Sequence, residues 1–429
     1  MNFNNAINLV KSSPLNRRGA EGKSIIILLL FLTSLSSFSQ SAFTIDDAVK
    51  IALKNNQLIQ SNEYKVEYFK ELKKTSTDLG KLSATWMHGQ YNSLYQDNNL
   101  QFNQSIPFPT VLNNQAKLGR EQVIGAEKSL VVAKNELAFE VKSVYSQLLY
   151  QEAIQRLLLS QDSLYEDFFR ASSLRYKTGE SNLLEKTTAE TQLKDSKNQA
   201  SMNQSDIEIA KARLQALLKY DASFNTIGIL EKRELPSSLD SVSIALNPQL
   251  SYLQQQTTIY KQAKVTERSR MLPDLNVGYF NQSLVGVQNI NGQDQYFGAD
   301  KRFQGFQLGV SFPLWFAPQV ARSKAAVFVE LESKKNADHF KTMLSGVLAQ
   351  AQQELNKHLS SLDYYETSAL KNATLILSQA SKAFKAGEIS YIEYLQSLKI
   401  AIGIKSGYLQ ELNLYNQSVL KIEFLMGTY

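Results

Sequence analysis

The chain has 429 residues with no cysteine, 8 prolines and 3 histidines, which excludes disulfide scaffolds, thiolate metal centres and proline-rich disorder. Hydrophobic residues reach 43% and charged residues only 20%, so core-forming material is plentiful and intrinsic disorder is excluded. Half of the formal charge of +6 comes from Lys11, Arg17, Arg18 and Lys23 set against Glu21, and no dense basic stripe remains for nucleic acid.

Basic residues ending at Lys23 precede the apolar run Ile25 to Leu32, which is followed by the small polar stretch Thr33 to Ser39. A run of this length is too short to span a bilayer and fits the apolar region of an export signal, cut before Gln40 or Ser41. Residues 1–40 are therefore expected to be signal peptide and lead-in. No later apolar run approaches the length of a membrane helix.

Beyond residue 40 the predicted elements come in a repeating order. Helix is expected from Asp46 to about Gly80, opened by Thr44 as cap, with Asp46 and Asp47 at the positive end of the helix dipole. A strand-like hairpin region follows over about 82–109, then a very long helix over about 110–174, a glycine turn, and a helix over about 182–218. The order begins again with a helix over Asn247 to Met271, strands over about 272–316, a long helix over about 318–383, a glycine turn and a helix over about 389–426.

Three landmarks carry the repeat. Asn55-Asn56-Gln57-Leu58 matches Asn247-Pro248-Gln249-Leu250 at an offset of 192, and Ser105-Ile106-Pro107-Phe108 matches Ser311-Phe312-Pro313-Leu314 at 206. Arg175-Tyr176-Lys177-Thr178-Gly179-Glu180 matches Ala383-Phe384-Lys385-Ala386-Gly387-Glu388 at 208. Residues 41–235 and 236–429 are thus two copies of one helix-hairpin-helix plan. The second copy gains its extra residues at about 286–301, a Gly/Asn/Gln/Asp-rich stretch expected to be a long loop.

The long helices carry a narrow seam. Leu130, Ala133, Leu137, Val141, Val144 and Leu148 keep a coiled-coil-like spacing, as do Leu344, Val347, Ala351, Leu355, His358, Leu362, Tyr365 and Ala369. The strands instead alternate with period two. Leu100, Phe102, Ile106 and Phe108 oppose Gln101, Asn103 and Ser105, and Phe306, Leu308, Val310, Phe312 and Leu314 oppose Gln307, Gly309 and Ser311. A sheet with one apolar face needs a covering layer, and the helices are engaged in their own seams. Lipid supplies that layer only if the strands close into a barrel, and four strands cannot enclose a lumen, so several chains must contribute. With 20 Tyr and 21 Phe beside 2 Trp, aromatic rings are available for an interfacial girdle, in which Tyr91, Tyr95, Tyr279, Tyr296, Phe297 and Phe303 are placed. Pro107, Pro109 and Pro313 mark the strand-to-helix exits, because proline cannot donate to a ladder.

This ordered set of duplicated landmarks resembles the TolC outer-membrane efflux protein family over about Phe43 to Tyr429. The resemblance implies a homotrimer in which each protomer gives four strands to a twelve-stranded transmembrane β-barrel continuous with a long α-helical barrel reaching into the periplasm. It further implies that the turns at Arg175, Tyr176, Lys177 and Gly179, and at Phe384, Lys385 and Gly387, form the periplasmic tip. There a membrane-fusion adaptor would dock and an inner-membrane pump of the resistance-nodulation-division or a similar type would feed the duct. An acidic residue six positions past the second glycine lines the tip constriction in similar proteins; it matches Glu393, with Glu185 in the equivalent place of the first copy. A second acid three positions on is replaced here by Gln396. A threefold ring of Glu393 would raise its own pKa values and attract cations; the other reading is a first-turn acid favoured by the helix dipole.

No catalytic constellation or cofactor motif is present, and His88, His339 and His358 are isolated from one another. The chain is expected not to be an enzyme and to take no cofactor. The competing class is an exported coiled-coil structural or adhesive protein whose hairpins mediate contacts instead of spanning lipid.

Overall fold

Thr44 opens the first helix with a capping box: its hydroxyl accepts the Asp47 N–H and the Asp47 carboxylate accepts the Thr44 N–H. The computed structural model describes residues 41–235 and 244–427, so the expected export signal lies outside the described residues. These fall into a small unit, Ser41, Ala42 and Ala222–Asn225, and a large unit holding the rest.

After β1 (Ser41–Phe43), the helix predicted to run unbroken to Gly80 is two helices, α1 (Ile45–Asn55) and α2 (Gln57–Lys73), followed by a 3-10 turn at Lys74–Thr77. The break is Asn56. Its backbone is extended (φ −67°, ψ 128°) and its side chain accepts the Leu58 N–H, a local alternative to continuing the helix.

The hairpin of β2 (Ser83–Gly89) and β3 (Asp97–Ile106) leads into α3 (Pro109–Lys177), with Pro109 in the first turn, where its missing N–H costs nothing. At 69 residues α3 is about 100 Å long. Next come α4 (Leu183–Leu218) and the short β4 (Phe224–Thr226), which pairs with β1. Then α5 (Pro248–Ser269), capped by Asn247, precedes β5 (Asp274–Gln282), β6 (Gly286–Ile290), β7 (Gln293–Phe297) and β8 (Phe303–Ser311). Helix α6 (Ala317–Tyr364) runs through a π turn at Tyr365–Ala369 into α7 (Leu370–Ala386), and α8 (Tyr391–Met426) is the last described helix.

The stretch expected to be loop at about 286–301 is largely the β6–β7 hairpin. Asn291 (φ 53°) and Gly292 (φ 85°) form its two-residue turn, the Asn-Gly pair being the sequence signal that shows it.

Helix α3 packs against α4, α5, α2 and α8, while α6 packs against α5 and α8. The seams are buried: Ala133, Leu137, Val141, Val144 and Leu148 on α3, and Leu344, Ala351, Leu355, His358 and Leu362 on α6, with Ala369 in the π turn. Leu130, Val347 and Tyr365 are half-buried. His358 reaches α8 through Nδ1, 2.8 Å from the Glu411 carboxylate. The connector after β4 is pinned by side chains. The Tyr145 hydroxyl accepts the Ile227 N–H at 3.0 Å and lies 2.5 Å from the Phe43 carbonyl oxygen, and Asn416 donates to the Glu231 carbonyl at 2.8 Å.

Candidate functional site: a two-faced sheet and a helical tip

The four longer strands pair antiparallel in the order β2-β3-β5-β8, so the two hairpins meet at β3 and β5, leaving β2 and β8 as edges. Partners directly across a ladder share a face. One face carries Trp86, Leu100, Phe102, Ile106, Leu275, Val277, Tyr279, Phe306, Leu308 and Val310, with Gln104, Asn281 and Gln304 among them; the other carries Thr85, Gln101, Asn103, Ser105, Asn276, Gly278, Gln307 and Ser311, with Met87, Phe280 and Phe303 toward the loop end. Among the described residues no layer covers the apolar face at its β8 edge: Phe306 is 81% exposed and Leu308 85%. The exposure continues past Pro313 through Leu314, Trp315 and Phe316 into the first turn of α6.

The aromatic residues singled out from sequence sort into pairs. Tyr95 and Tyr296 meet edge to face with ring centroids 6.3 Å apart, and both are exposed. Tyr279 packs against Phe306 at 5.5 Å and donates to Gln304 at 2.8 Å. Phe297 is only 8% exposed, packed on Phe303 at 5.9 Å, and Tyr91 stands on the exposed β2–β3 connection. Sequence reading missed the polar lock beside them. The buried Asp97 carboxylate accepts from the Val285 N–H at 2.8 Å and the Ser283 hydroxyl at 3.1 Å, and Arg302 donates to the side chains of Asn98 and Asn281. Neither Asp97 nor Arg302 lies in a motif, so only the pairing of distant strands reveals it.

At the far end of the long helices both glycine turns have one geometry. Gly179 (φ 77°) donates to the Tyr176 carbonyl at 3.2 Å and Glu180 to that of Arg175 at 2.8 Å; Gly387 (φ 74°) donates to Phe384 at 3.1 Å and Glu388 to Ala383 at 2.9 Å. This is the Schellman stop, which needs a left-handed residue and hence glycine. Lys177 and Lys385 are exposed beside the turns, and the Lys186 ammonium sits 5.4 Å over the Tyr176 ring.

The two glutamates after these turns differ. Glu393 is exposed and forms a capping box, accepting the Ser390 N–H at 2.8 Å and the Ser390 hydroxyl at 2.9 Å. Those bonds, the backbone one first, hold its carboxyl below the usual glutamate range. Glu185 is 4% exposed and accepts from the Ser172 hydroxyl at 3.2 Å and the Arg175 guanidinium at 3.3 Å. Gln396 lies exposed one turn past Glu393. An aromatic cluster joins the two helix pairs, bringing Phe384 and Arg175 of the predicted turns to Phe168 and Tyr394, which the sequence left unmarked: Phe384 stacks on Tyr394 with centroids 4.5 Å apart, Phe168 meets both edge-on, and Arg175 lies over Phe384 at 5.8 Å. Burial there pushes the Tyr394 hydroxyl pKa up.

No family model and no curated sequence matches the chain, but its backbone matches solved structures. CusC, described in crystal structures concerned with folding and transmembrane channel formation, superposes with a TM-score of 0.74 at 16% identity, covering 90% of this chain and 92% of that one. The outer membrane protein VceC of Vibrio cholerae gives 0.73 at 14%, covering 89% and 96%. The fold is of the TolC type. The open-state MtrE outer membrane channel of Neisseria gonorrhoeae gives 0.71 at 13%, covering 89% and 88%. This TolC-type fold accounts for the long helices and the four-stranded sheet as parts of one architecture. Among the described residues no helix is long and apolar enough to cross a membrane, and no group of three or more potential metal ligands stands together.

Proposed function

We propose that the protein is the outer-membrane exit duct of a tripartite efflux or secretion system. Three copies close their four-stranded sheets into a twelve-stranded barrel, and their long helices form a periplasmic conduit. The observation that carries this reading is the sheet itself: an apolar face without cover, an amide-rich opposite face and two free edges. In water that surface is an aggregation site. In a bilayer, closure satisfies the edges, the apolar face meets acyl chains, and Gln101, Asn103 and Gln307 line water.

The turns around Gly179 and Gly387 are proposed as the docking tip for a periplasmic adaptor, fed by an inner-membrane pump of the resistance-nodulation-division or a similar type. Residues 41–235 and 236–429 are the two copies of the plan, and the aromatic pairs Tyr95–Tyr296 and Tyr279–Phe306 belong to the lipid interface. The duct performs no covalent step and moves cargo passively. Glu393 is proposed to line the tip constriction, where its carboxylate, whose charged form the Ser390 bonds favour against the repulsion of neighbouring copies, attracts cations.

Fractionation tests the reading. Recovery in outer membranes as a heat-modifiable trimer supports it, and recovery as soluble periplasmic protein would establish the coiled-coil structural alternative instead. For Glu393, the Glu393→Ala variant should raise single-channel conductance or weaken divalent-cation block in planar bilayers. Unchanged conductance and block remove it from the constriction.

A further inference from the structure

Where the helices meet the sheet, α2, the 3-10 turn after it, α3 and α5 enclose a pocket of about 370 Å³. Gln115, Leu118 and Gln122 form one stripe of α3 along its wall, and Lys73, Ser76 and Arg270 come from the other elements. Gly119 lets the two sides approach: a Cβ there would lie 3.3 Å from Lys73 Cα and Cγ, so the Lys73 stem rests against α3. Thr266 fixes α5 to α3, its hydroxyl 3.3 Å from the Asn114 carbonyl oxygen. From this pocket the chain runs directly into the sheet, through Leu79 and Leu82 to β2 and through Leu272 to β5, and all three leucines are exposed. Gln104 of β3 donates to the Leu79 carbonyl at 2.6 Å and holds the first of these segments against the sheet. On the duct reading, on which this inference rests, the leucines enter lipid at the periplasmic side and the pocket lies at headgroup depth.

The polar groups of the pocket are left over from folding. Lys70 and Lys74 pair with Glu67 and Glu71, whereas Lys73, and Lys81 between the two exposed leucines, have no ion-pair partner among the described residues. Arg270 donates to Glu267 through Nη1 at 2.7 Å, which leaves Nε and Nη2 free to donate elsewhere. The amides of Gln115 and Gln122 and the Ser76 hydroxyl are half-buried and make no side-chain hydrogen bond to a described residue. Asp78 is the one carboxylate of the lining, and its Oδ1 already accepts the Gly80 N–H at 2.8 Å. The dipoles at the ends of α2 and α5 account for cations here, but not for three half-buried polar side chains left without partners. Donors converging from several elements on a small polar cavity, beside exposed leucines, match a phosphodiester that carries acyl chains.

We propose that this pocket holds the phosphate group of a glycerophospholipid from the leaflet on the helix side, so that each protomer carries a bound lipid at the junction of sheet and helices. Lys73 and Arg270 meet the phosphate oxygens, Gln115, Gln122 and Ser76 donate beside them, and the acyl chains lie along Leu79 and Leu82. A free phosphate ion gains the same donors and none of the apolar contact.

The test uses the full chain as detergent-purified oligomer, titrated with phosphatidylglycerol and read by native mass spectrometry, with diacylglycerol of the same acyl chains as control. Saturable retention of a single phosphatidylglycerol per protomer is expected, with diacylglycerol retained far less. Lys73→Gln/Arg270→Gln, at exposed positions, should weaken retention about tenfold. Ser76→Trp, which fills the pocket without changing its charge, should weaken it similarly. Lys194→Gln/Lys197→Gln, at exposed positions of α4, should leave it unchanged. Retention that does not saturate, that survives both pocket variants, that falls equally in the α4 variant, or that diacylglycerol matches overturns the proposal. Complete displacement by inorganic phosphate alone overturns it too, because that marks a site for a free anion. Fractionation of the unsubstituted protein separates the two readings. A protein that inserts as an outer-membrane trimer but fails the lipid assay keeps the duct and loses the pocket. A soluble periplasmic protein loses the duct, and with it the lipid site, even where phosphatidylglycerol binds in detergent.

Discussion

Removing the Glu185 carboxylate should loosen the tip of α3 and α4. In Glu185→Ala the buried Ser172 hydroxyl loses its acceptor and Arg175 loses its ion-pair partner. A hydrogen bond to a charged acceptor contributes about 1.5–3 kcal/mol. The Arg175 side chain is 37% exposed, so solvent screening discounts its share and a net cost of about 1–2 kcal/mol is expected. Because the turn lies at a helix end, the loss should appear as local opening, speeding amide exchange at Ser172–Ala189 by roughly 5- to 30-fold at about 1.4 kcal/mol per decade. The assay is hydrogen exchange on the oligomer read by mass spectrometry. A double-mutant cycle with Arg175→Ala should recover most of the pair's contribution as coupling. Unchanged exchange at the tip, accompanied by altered cation block, would refute the structural role and return Glu185 to the constriction.

Other substitutions test other parts. Gly125 lets α3 approach α5 closely, since a Cβ there would lie 2.7 Å from Ile259 Cδ1; Gly125→Val should cost about 1–3 kcal/mol in unfolding free energy by overpacking. Leu308→Lys should lower folded outer-membrane yield, at about 2–4 kcal/mol if the site sits near the bilayer midplane, while Gln307→Lys on the other face should be tolerated. The Ser390 bonds pull the Glu393 carboxyl below the ordinary glutamate value of about 4.3 within one protomer, and Ser390→Ala should move its titration upward in a carboxyl NMR experiment. Because its folded pKa is depressed, the capping contribution is complete above that ordinary value and fades as pH falls through the folded one. A Glu393 titration unaffected by Ser390→Ala would contradict the capping box.

Elements with a period were legible in the sequence and lone pairings were not. The alternation around Phe306–Val310 and the seam Ala133–Leu148 each repeat over several residues, so local pattern fixed which face was apolar. The glycine turns were legible because a helix stop demanding φ > 0 admits little else than glycine. Asn56 escaped because its side chain competes with the helix at one residue inside an otherwise helical pattern. The β6–β7 hairpin escaped because polar composition outweighed the Asn291-Gly292 turn signal. At the tip, Glu185 and Glu393 occupy equivalent positions in sequence, yet one is buried against Ser172 and Arg175 and the other caps its own helix. The difference lies in what α3 and Ser390 present to them.

The central claim is that the four-stranded sheet has lipid on one face and water on the other. Because the chain has no cysteine, single cysteines can be placed along β8 without background. In outer-membrane vesicles a membrane-impermeant maleimide should label cysteines at 305, 307, 309 and 311 and spare those at 306, 308 and 310, with a period of two. Uniform labelling along the strand, or protection of the odd positions instead, would contradict the account.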